Sequence, residues 1–536
     1  MDEVRGAAPD PVQIAVWRHL LASVAEEMGA TLERTASSPN IRDRRDASCA
    51  IFGPDGELIA QAAHIPVHLG AMAVLLRSLR NEVAWPRGIA WMCNDPAHGG
   101  THLPDITVAM PVYVGLGKSA RLVGFTASRA HHADVGGSSP GSLAPATELC
   151  QEGIVIPPVA LMRGGSLQAD PLAILCANTR TPDERRGDIA AQIGACRIGC
   201  RRLAAIVQTH GWDTYQLRLA EARRYSAAAI RSALLALPDG CWEAEDQLDD
   251  DGQTAGPLSI RVRLTLKGGH ADIDFTGTAK QCQGPMNAPL AVTTSACWYV
   301  VRCLVGDEIP TNSGCWEPIT IRAPHGCLLN PAEGAAVAAG NTETSQRVVD
   351  VLLAALGKCA PERFPAASQG TMNNLTIGGW DPTRRRNFTY YETLGGGAGA
   401  ANHRPGSSAI HSHMTNTLNT PAEALESYYP LRIEALGIRS RSGGAGEFPG
   451  GDGLLRRTRL LTPAVVSILA ERRDSRPPGA HGGGGGVTGR NSIVEADGSR
   501  RELPAKWSGA VAEECAVEIE TPGGGGWGHE VQPADS

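Results

Sequence analysis

The sequence predicts a large α/β chain, mixed α+β in character and built in several lobes. Three patterns carry that expectation. Apolar residues recur at steps of three and four over residues 14–28 and again over 189–207, the signature of helices with one buried stripe. Leu258-Ser-Ile-Arg-Val-Arg-Leu-Thr-Leu266 alternates with period two, as a half-exposed strand does. Glycine clusters punctuate everything beyond about residue 365, with strand-like segments between them. Together these predict a mixed-sheet N-terminal region, a helical hairpin and a β-rich, glycine-turn C-terminal region. The expected divisions are 1–240, 241–365 and 366–536.

The elements follow in order. Asp10-Pro11 is an N-cap with proline in the first turn, and Ile14, Trp17, Leu21, Val24 and Met28 form the buried stripe after it. Ser48–Phe52 and Glu57–Ala60 flank a Gly53-Pro-Asp-Gly56 turn and read as a hairpin, with Asp46 at the entrance of its first strand. Residues 106–114 and 120–127 are two more strands, the second ending near Thr126-Ala-Ser128. The loop between them contains Gly117-Lys118-Ser119. A phosphate loop needs glycine five residues before Gly117, where Val112 stands, and a helix after it, where a strand follows. Thr181-Pro-Asp-Glu184 reads as a capping box. The helix it starts runs through Ile189, Ile193, Cys196, Cys200, Leu203 and Val207, and Gly211-Trp-Asp213 breaks it before a second helix reaches about Leu237. Lys267-Gly-Gly-His270 returns the alternating strand as a hairpin, and Val348–Leu356 belongs to another helix. The glycines at 395–399, 443–446, 482–486 and 523–526 read as tight turns.

Composition narrows the functional classes. A chain of 536 residues exceeds one simple core, and hydrophobic content of 42% with 20% charged residues describes a globular protein. A net charge of -7 gives no reason to expect nucleic acid as partner. No run of eighteen apolar residues occurs, so no membrane span is expected, and Met1–Asp10 lacks a signal-peptide pattern. Fourteen cysteines without CxxC pairs suggest reduced core thiols and a cytoplasmic protein.

Chemistry concentrates in one stretch. Six of the fifteen histidines lie between His64 and His132, with acidic residues threaded among them. The segments are His64-Ile-Pro-Val-His68, Asn94-Asp-Pro-Ala-His98-Gly-Gly-Thr-His102-Leu-Pro-Asp105 and His131-His132-Ala-Asp134. Pro104 forbids a regular helix between His102 and Asp105, so a loop at a strand entrance aims both side chains. Asp46 occupies a similar entrance, and His131 and His132 follow a third strand. Such a nitrogen and oxygen set suits zinc or manganese better than calcium. Asp134 reads as a further ligand or as a carboxylate fixing a histidine tautomer. Asp95, before Pro96, also fits a turn-shaping role, and one of His64 and His68 is expected to be a hydrogen-bonded core residue. No G-x-S-x-G elbow lies at a strand-to-helix turn, and Cys49, on an apolar strand, fits packing better than nucleophilic attack. His411-Ser-His413-Met-Thr-Asn416 is a smaller polar group that either reaches the same site or serves a surface or interdomain role.

These residues carry a resemblance. Arg44-Arg-Asp46-Ala-Ser-Cys, His64-Ile-Pro-Val-His68, Asn94 to Asp105 and Ala130-His-His-Ala-Asp134-Val-Gly-Gly resemble the hydantoinase B/oxoprolinase family. So do Gln151-Glu-Gly153, Asp274-Phe-Thr-Gly277, Gly340-Asn-Thr-Glu-Thr-Ser-Gln346, Ala367 to Asn374, Tyr391-Glu-Thr-Leu-Gly-Gly-Gly397 and Gly450-Gly-Asp-Gly453. The similarity therefore spans nearly the whole chain. It implies the metal-bearing subunit of a two-component, ATP-dependent enzyme. The family includes N-methylhydantoinase, 5-oxoprolinase, caprolactamase and the acetone and acetophenone carboxylases. The implied partner is a hydantoinase A-type, actin-like ATPase that phosphorylates a carbonyl oxygen, in a hetero-oligomer. The implied reaction is hydrolysis of a cyclic imide or lactam, with an acetone- or acetophenone-type carboxylase as the alternative. The implied metal ligands are Asp46, His102, Asp105 and one of His131 and His132, with His132 favoured. On the residues' own chemistry, Asp134 or Asp95 would act as general base or orient the water. Ala97-His98 departs from the aromatic residue that often precedes the glycine pair.

Overall fold

The computed structural model describes residues 10–62 and 65–530. His64 and the leader reading of residues 1–9 lie outside the described residues. The helix Pro11–Thr35 begins at Asp10, whose carboxylate accepts the Val12 N–H at 2.9 Å. It buries Ile14, Trp17, Leu21, Val24 and Met28, as the stripe predicts. Each such burial stabilises by about 1.5–3 kcal/mol.

Seven strands follow: β1 Ala47–Phe52, β2 Leu58–Gln61, β3 Ala90–Cys93, β4 Asp105–Val114, β5 Arg121–His131, β6 Val159–Arg163 and β7 Ser166–Leu167. They form one antiparallel sheet in the order β2-β1-β5-β4-β3-β6-β7. Its central strands are buried on both faces, which is why β1 and β4 read as apolar runs without alternation. Helices Pro11–Thr35 and Pro182–His210 pack on one face through Met28, Ile51, Val108 and Leu203. The other face joins a larger core with the helices His68–Glu82, Leu290–Arg302 and Ser345–Cys359. Gly117–Ser119 forms a single 3-10 turn between β4 and β5, so the resemblance to a phosphate loop ends at sequence level.

The helical hairpin is present as Pro182–His210 and Trp212–Leu235, broken at Gly211 with φ 81°. Its capping box is not. Thr181 stands at the N-cap without a side-chain cap, and its hydroxyl accepts from Arg185 Nη1 at 3.4 Å instead. Arg185 is fully buried and also reaches the Asp134 carbonyl and the Asp188 carboxylate, so a buried guanidinium outbids the local cap.

A second sheet contains β8 Gly240–Leu248, β9 Leu258–Lys267, β10 His270–Asp274 and β11 Ile319–Arg322, with β10 and β11 parallel. The alternation of β9 is realised: Ile260, Val262, Leu264 and Leu266 face the core and Arg261 and Arg263 face outward. The C-terminal region adds β12 Asn374–Asp381, β13 Arg386–Glu392, β14 Leu431–Arg439, β15 Gly453–Leu460, β16 Ala464–Leu469, β17 Arg490–Val494, β18 Arg500–Leu503, β19 Lys506–Val511 and β20 Ala516–Glu520. They make two sheets, β13-β12-β16-β19 and β14-β15-β20-β17-β18. The largest apolar core draws residues from Ala50 to Leu469, so the three sequence regions share it.

Of the four glycine clusters, 482–486 keeps a turn, with Gly482 at φ 90°, while the other three do not. No glycine of 395–399, 443–446 or 523–526 has positive φ. These segments run side by side, joined by Gly451 N–H to Ala398 O, Gly524 N–H to Gly451 O and Gly444 N–H to Gly524 O at 2.8–2.9 Å. The absence of side chains is what lets the backbones meet. A Cβ on Gly524 would stand 2.0 Å from Ala398 O, and one on Gly397 1.9 Å from Gly451 O. Gly524→Ala therefore forces rigid backbone apart and is expected to destabilise by roughly 3 kcal/mol, read as a lowered midpoint in denaturant. An unchanged midpoint would show that the segments can separate freely.

Candidate metal centre

The sheet places one row of polar residues across three neighbouring strands. In the β4–β5 ladder Asp105 lies directly opposite His131. On the other side of His131, Ala130 pairs with Ala47, and His131 N–H donates to the Asp46 carbonyl at 3.0 Å. Asp46, His131 and Asp105 thus sit abreast at one end of the sheet. Directly opposed residues on adjacent strands share a face, with Cβ atoms about 4.5–5.5 Å apart.

His102 arrives from the loop before β4. Asp95 caps a 3-10 turn, Pro96–His98, and Gly99 follows with φ 89°. A Cβ on Gly99 would lie 2.6 Å from Leu75 N and one on Gly100 2.2 Å from Asn94 O, so only a glycine pair closes this turn. The Asn94 side chain, fully buried, bonds Leu103 O, Ile154 O and Ile156 N–H and locks the loop. His102 Nδ1 lies 3.3 Å from Ala338 O. A carbonyl only accepts, so Nδ1 carries the proton and Nε2 presents its lone pair inward.

The inner atoms converge. His102 Nε2 is 3.1 Å from Asp105 Oδ1 and 3.1 Å from His131 Nδ1, and His131 Nδ1 is 3.3 Å from Asp105 Oδ1. All three residues are buried, and they form the one compact group with metal-ligand atoms among the described residues. Asp105 Oδ1 has no hydrogen-bond partner in proper geometry despite these approaches. Three donor atoms set 3.1–3.3 Å apart, one of them the orphaned carboxylate oxygen, match the edges of a tetrahedron about a cation. Zinc–nitrogen bonds of about 2.0–2.1 Å imply edges of about 3.3 Å. The donor set thus fits a divalent ion of borderline softness.

The second oxygen of Asp105 is held by the protein. Thr101 Oγ1 donates to it, His68 Nε2 approaches at 3.2 Å and Asn341 Nδ2 at 3.5 Å. His68 opens the helix His68–Glu82, and its Nδ1 pairs with Ser48 Oγ at 2.9 Å. Burial opposes ionisation of Asp105, yet His102 and His68 together hold its carboxyl well below the usual carboxylate range. Tyr391 stacks on His131 with ring centroids 4.3 Å apart and planes inclined by 18°, and its hydroxyl donates to Asn374 Oδ1 at 3.1 Å. Arg44 lies 4.8 Å from the same tyrosine ring. The surrounding cavity is lined by Asp46, Val67, Thr342, Met372, Met414 and Thr417, among others. Asn341 and Thr342 come from a π-helical turn, Gly340–Thr344, ahead of the helix Ser345–Cys359. Such turns recur at functional sites because they displace side chains from the regular helical positions.

Similarity to known proteins supplies the family. The model of the family described as hydantoinase B/oxoprolinase matches residues 10–530. The chain belongs to the hydantoinase B/oxoprolinase family. It is 40% identical to 5-oxoprolinase 1 of Arabidopsis thaliana over 97% of its own length and 42% of that protein's. It thus spans about two fifths of that relative. It is 30% identical to a Pseudomonas sp. (strain NS671) protein provisionally named as a D-/L-hydantoinase subunit, covering 98% of this chain and 90% of that one. The structure of ATP-dependent caprolactamase from Pseudomonas jessenii superposes with a TM-score of 0.90 at 27% identity, over 98% of this chain and 92% of that chain.

Within the family, the geometry places each site residue. Asp105, His102 and His131 come together, and Asp46 lines the same cavity outside the compact trio. The favoured His132 does not join the trio. Strand β5 continues to His131, past its expected end near Ser128, so the next side chain turns to the opposite face. His132 Nε2 pairs with Gln192 Oε1 at 3.0 Å, and burial and Arg185 push its imidazole down to about 4. Asp134 also stands apart from the trio. Its buried carboxylate accepts from Gly136 N–H, Gly141 N–H, Thr179 Oγ1 and Arg180, which fixes a loop and leaves it no part in the cluster. Asp95 caps its turn, pairs with His98 Nδ1 at 3.0 Å and lines a different cavity with His325 and Glu333. Neither is placed to act as general base at the trio. Cys49 is buried in β1, and burial raises its thiol to about 12, which suits packing. Residues missed as contributors are Thr101, Asn341 and Tyr391. Their motifs were legible, but no spacing rule brings residues 101, 341 and 391 to one point.

Proposed function

We propose that this protein is the metal-dependent subunit of an ATP-dependent enzyme that opens a cyclic imide or lactam. The observation that carries the reading is the buried convergence of His102 Nε2, Asp105 Oδ1 and His131 Nδ1 within 3.3 Å. These three residues, with Asp46 from the facing strand entrance, would hold zinc or manganese. A divalent ion bound there supplies Lewis-acid polarisation of oxygen and lowers the pKa of water. The chain's own residues do the rest. His68, Thr101 and Asn341 fix the Asp105 carboxylate, the Ala338 carbonyl fixes the His102 tautomer, and Tyr391 fixes the plane of the His131 ring. Asp46 lines the same cavity and would complete the donor set from the third strand.

Activation of the amide carbonyl by ATP is assigned to a hydantoinase A-type ATPase partner, in a hetero-oligomer. Two names support that division: one relative is named as a hydantoinase subunit, and the caprolactamase is called ATP-dependent. No helix among the described residues is long and apolar enough to cross a membrane. No disulfide forms among the described residues, and thiols buried in the cores suit the cytoplasm.

The test is reconstitution. The chain, purified with an actin-like ATPase subunit of that type, is given ATP, Mn²⁺ or Zn²⁺ and, in separate assays, hydantoin, 5-oxoproline and caprolactam. Ring opening that needs ATP, metal and both chains is expected for one of them. Failure on all three, with incorporation of labelled bicarbonate into acetone or acetophenone instead, would replace the hydrolase by the carboxylase reading.

A further inference from the structure

The Gln151-Glu-Gly153 motif has no part in the reading above, yet its carboxylate lies directly behind the metal centre. Glu152 ends the short helix Leu149–Glu152. The chain leading into the π-helical turn Gly340–Thr344 runs beside that helix. Glu148 and Ala335 form an antiparallel bridge, and Leu149 N–H donates to Gly334 O at 3.0 Å. The Glu152 side chain completes the contact. Its Oε1 accepts Val337 N–H at 2.8 Å and Ala338 N–H at 2.9 Å.

The backbone held this way carries the outer partners of the trio. Ala338 O is the acceptor 3.3 Å from His102 Nδ1, and Asn341, three residues on, approaches Asp105 Oδ2 at 3.5 Å. One carboxylate therefore holds the stretch of chain from which two of the three inner residues are braced. Other bonds pin the flanks of that stretch. Asn287 Nδ2 donates to Ala336 O at 3.0 Å, and the Ala339 and Gly340 N–H groups both reach Pro285 O at 2.9 Å. The N–H groups of Val337 and Ala338 go to Glu152. Glu152 starts from an anchored backbone in turn. Gly153 has φ 150°, a Cβ there would stand 2.8 Å from Val135 Cγ2, and Ile154 N–H donates to Val135 O at 2.9 Å.

The carboxyl is costly to keep in that place. Glu152 is 1% exposed, and its Oε2 has no hydrogen-bond partner. Burial pushes the carboxyl up to about 8, against the pull of the two N–H donors. An apolar side chain would fill the same space without that penalty, but only a side chain with an acceptor can hold the two N–H groups.

We infer that Glu152 is a positioning residue of the metal centre. By clamping Val337 and Ala338 it sets the Ala338 carbonyl against His102 and Asn341 against Asp105. The inference rests on the metal-centre reading and adds a residue that touches neither metal nor substrate.

The purified chain is titrated with Mn²⁺, the free ion being read by electron paramagnetic resonance, and its visible absorption is recorded at saturating Co²⁺. Glu152→Leu, which fills the space without an acceptor, and Glu152→Ala, which guards against overpacking by leucine, are each expected to weaken Mn²⁺ binding by at least about tenfold and to alter the cobalt ligand-field bands. Glu152→Gln keeps an oxygen able to accept the same two N–H groups and is expected to match wild type in both measurements. Asp381→Ala is the control. Asp381 is a buried carboxylate that likewise accepts two backbone N–H groups, from Thr383 and Arg384, but it lies at the β12–β13 hairpin and lines no part of the metal cavity. This variant is expected to lower the denaturant midpoint and to keep wild-type metal binding and bands. Wild-type binding in both the leucine and alanine variants, weakened binding in Glu152→Gln, or equal weakening in Asp381→Ala would overturn the positioning role alone. Absence of Mn²⁺ and Co²⁺ binding by the wild-type chain removes the metal-centre reading beneath it.

Discussion

His102→Ala is expected to strip the purified chain of its divalent metal and to reduce ATP-dependent ring opening by at least about 100-fold. The size of the effect follows from the geometry. His102 Nε2 is 3.1 Å from both other inner atoms, so its removal opens one edge from each of them and leaves Asp105 Oδ1 facing a single nitrogen. The fold is expected to survive. His102 is anchored outward by one bond, Nδ1 to Ala338 O, and its loop is held independently by Asn94 and by the Gly99-Gly100 turn. The check is metal content by elemental analysis beside far-ultraviolet circular dichroism and turnover. A folded variant with full activity and no metal would sink the proposed role of the centre.

Neighbouring histidines should give opposite phenotypes. His131→Ala is expected to lose metal and activity as His102→Ala does, because His131 Nδ1 lies 3.3 Å from Asp105 Oδ1 and its ring is held by Tyr391. His132→Ala is expected to keep its metal and instead to destabilise the fold by roughly 2–4 kcal/mol, since it empties a buried site and leaves Gln192 Oε1 without its partner. His131→Asn, which keeps a polar side chain in place, guards against collapse of the first variant. Metal analysis and a denaturant midpoint on each protein decide the matter. Metal lost from the His132 variant and retained in both His131 variants would reverse the assignment.

The same two histidines mark the limit of what local pattern records. The histidine–carboxylate cluster stood out because imidazole and carboxylate in turn-rich segments have few other uses at that density. His102, Asp105 and Asp46 could be placed at strand entrances from local patterns alone. The choice between His131 and His132 could not, because it depends on the end of β5. Side chains alternate along a strand, so a one-residue change in register exchanges the two faces. Had β4 and β5 been written as an antiparallel ladder through residues 105 and 131, the opposition of Asp105 and His131 would have been legible. Asp134 and Asp95 lie away from the trio for a related reason. Both have short-range uses, in a loop and in a turn, that satisfy their carboxylates before any site can.

The sequence by itself determined the family, the mixed α+β class, the helical hairpin, the period-two hairpin of β9 and β10 and the membership of His102 and Asp105 in one site. Those properties are written in local spacing, and local spacing fixes which face of an element is apolar. The tertiary structure decided what depends on distance through space. It turned three of the four glycine clusters from expected turns into segments packed backbone against backbone. It set His131, and not His132, beside His102 and Asp105, and it brought His68, Asn341 and Tyr391 around Asp105 and His131 from three separate parts of the chain. Contacts of that kind are set by how sheets and helices share a core, and no periodicity along the chain records them.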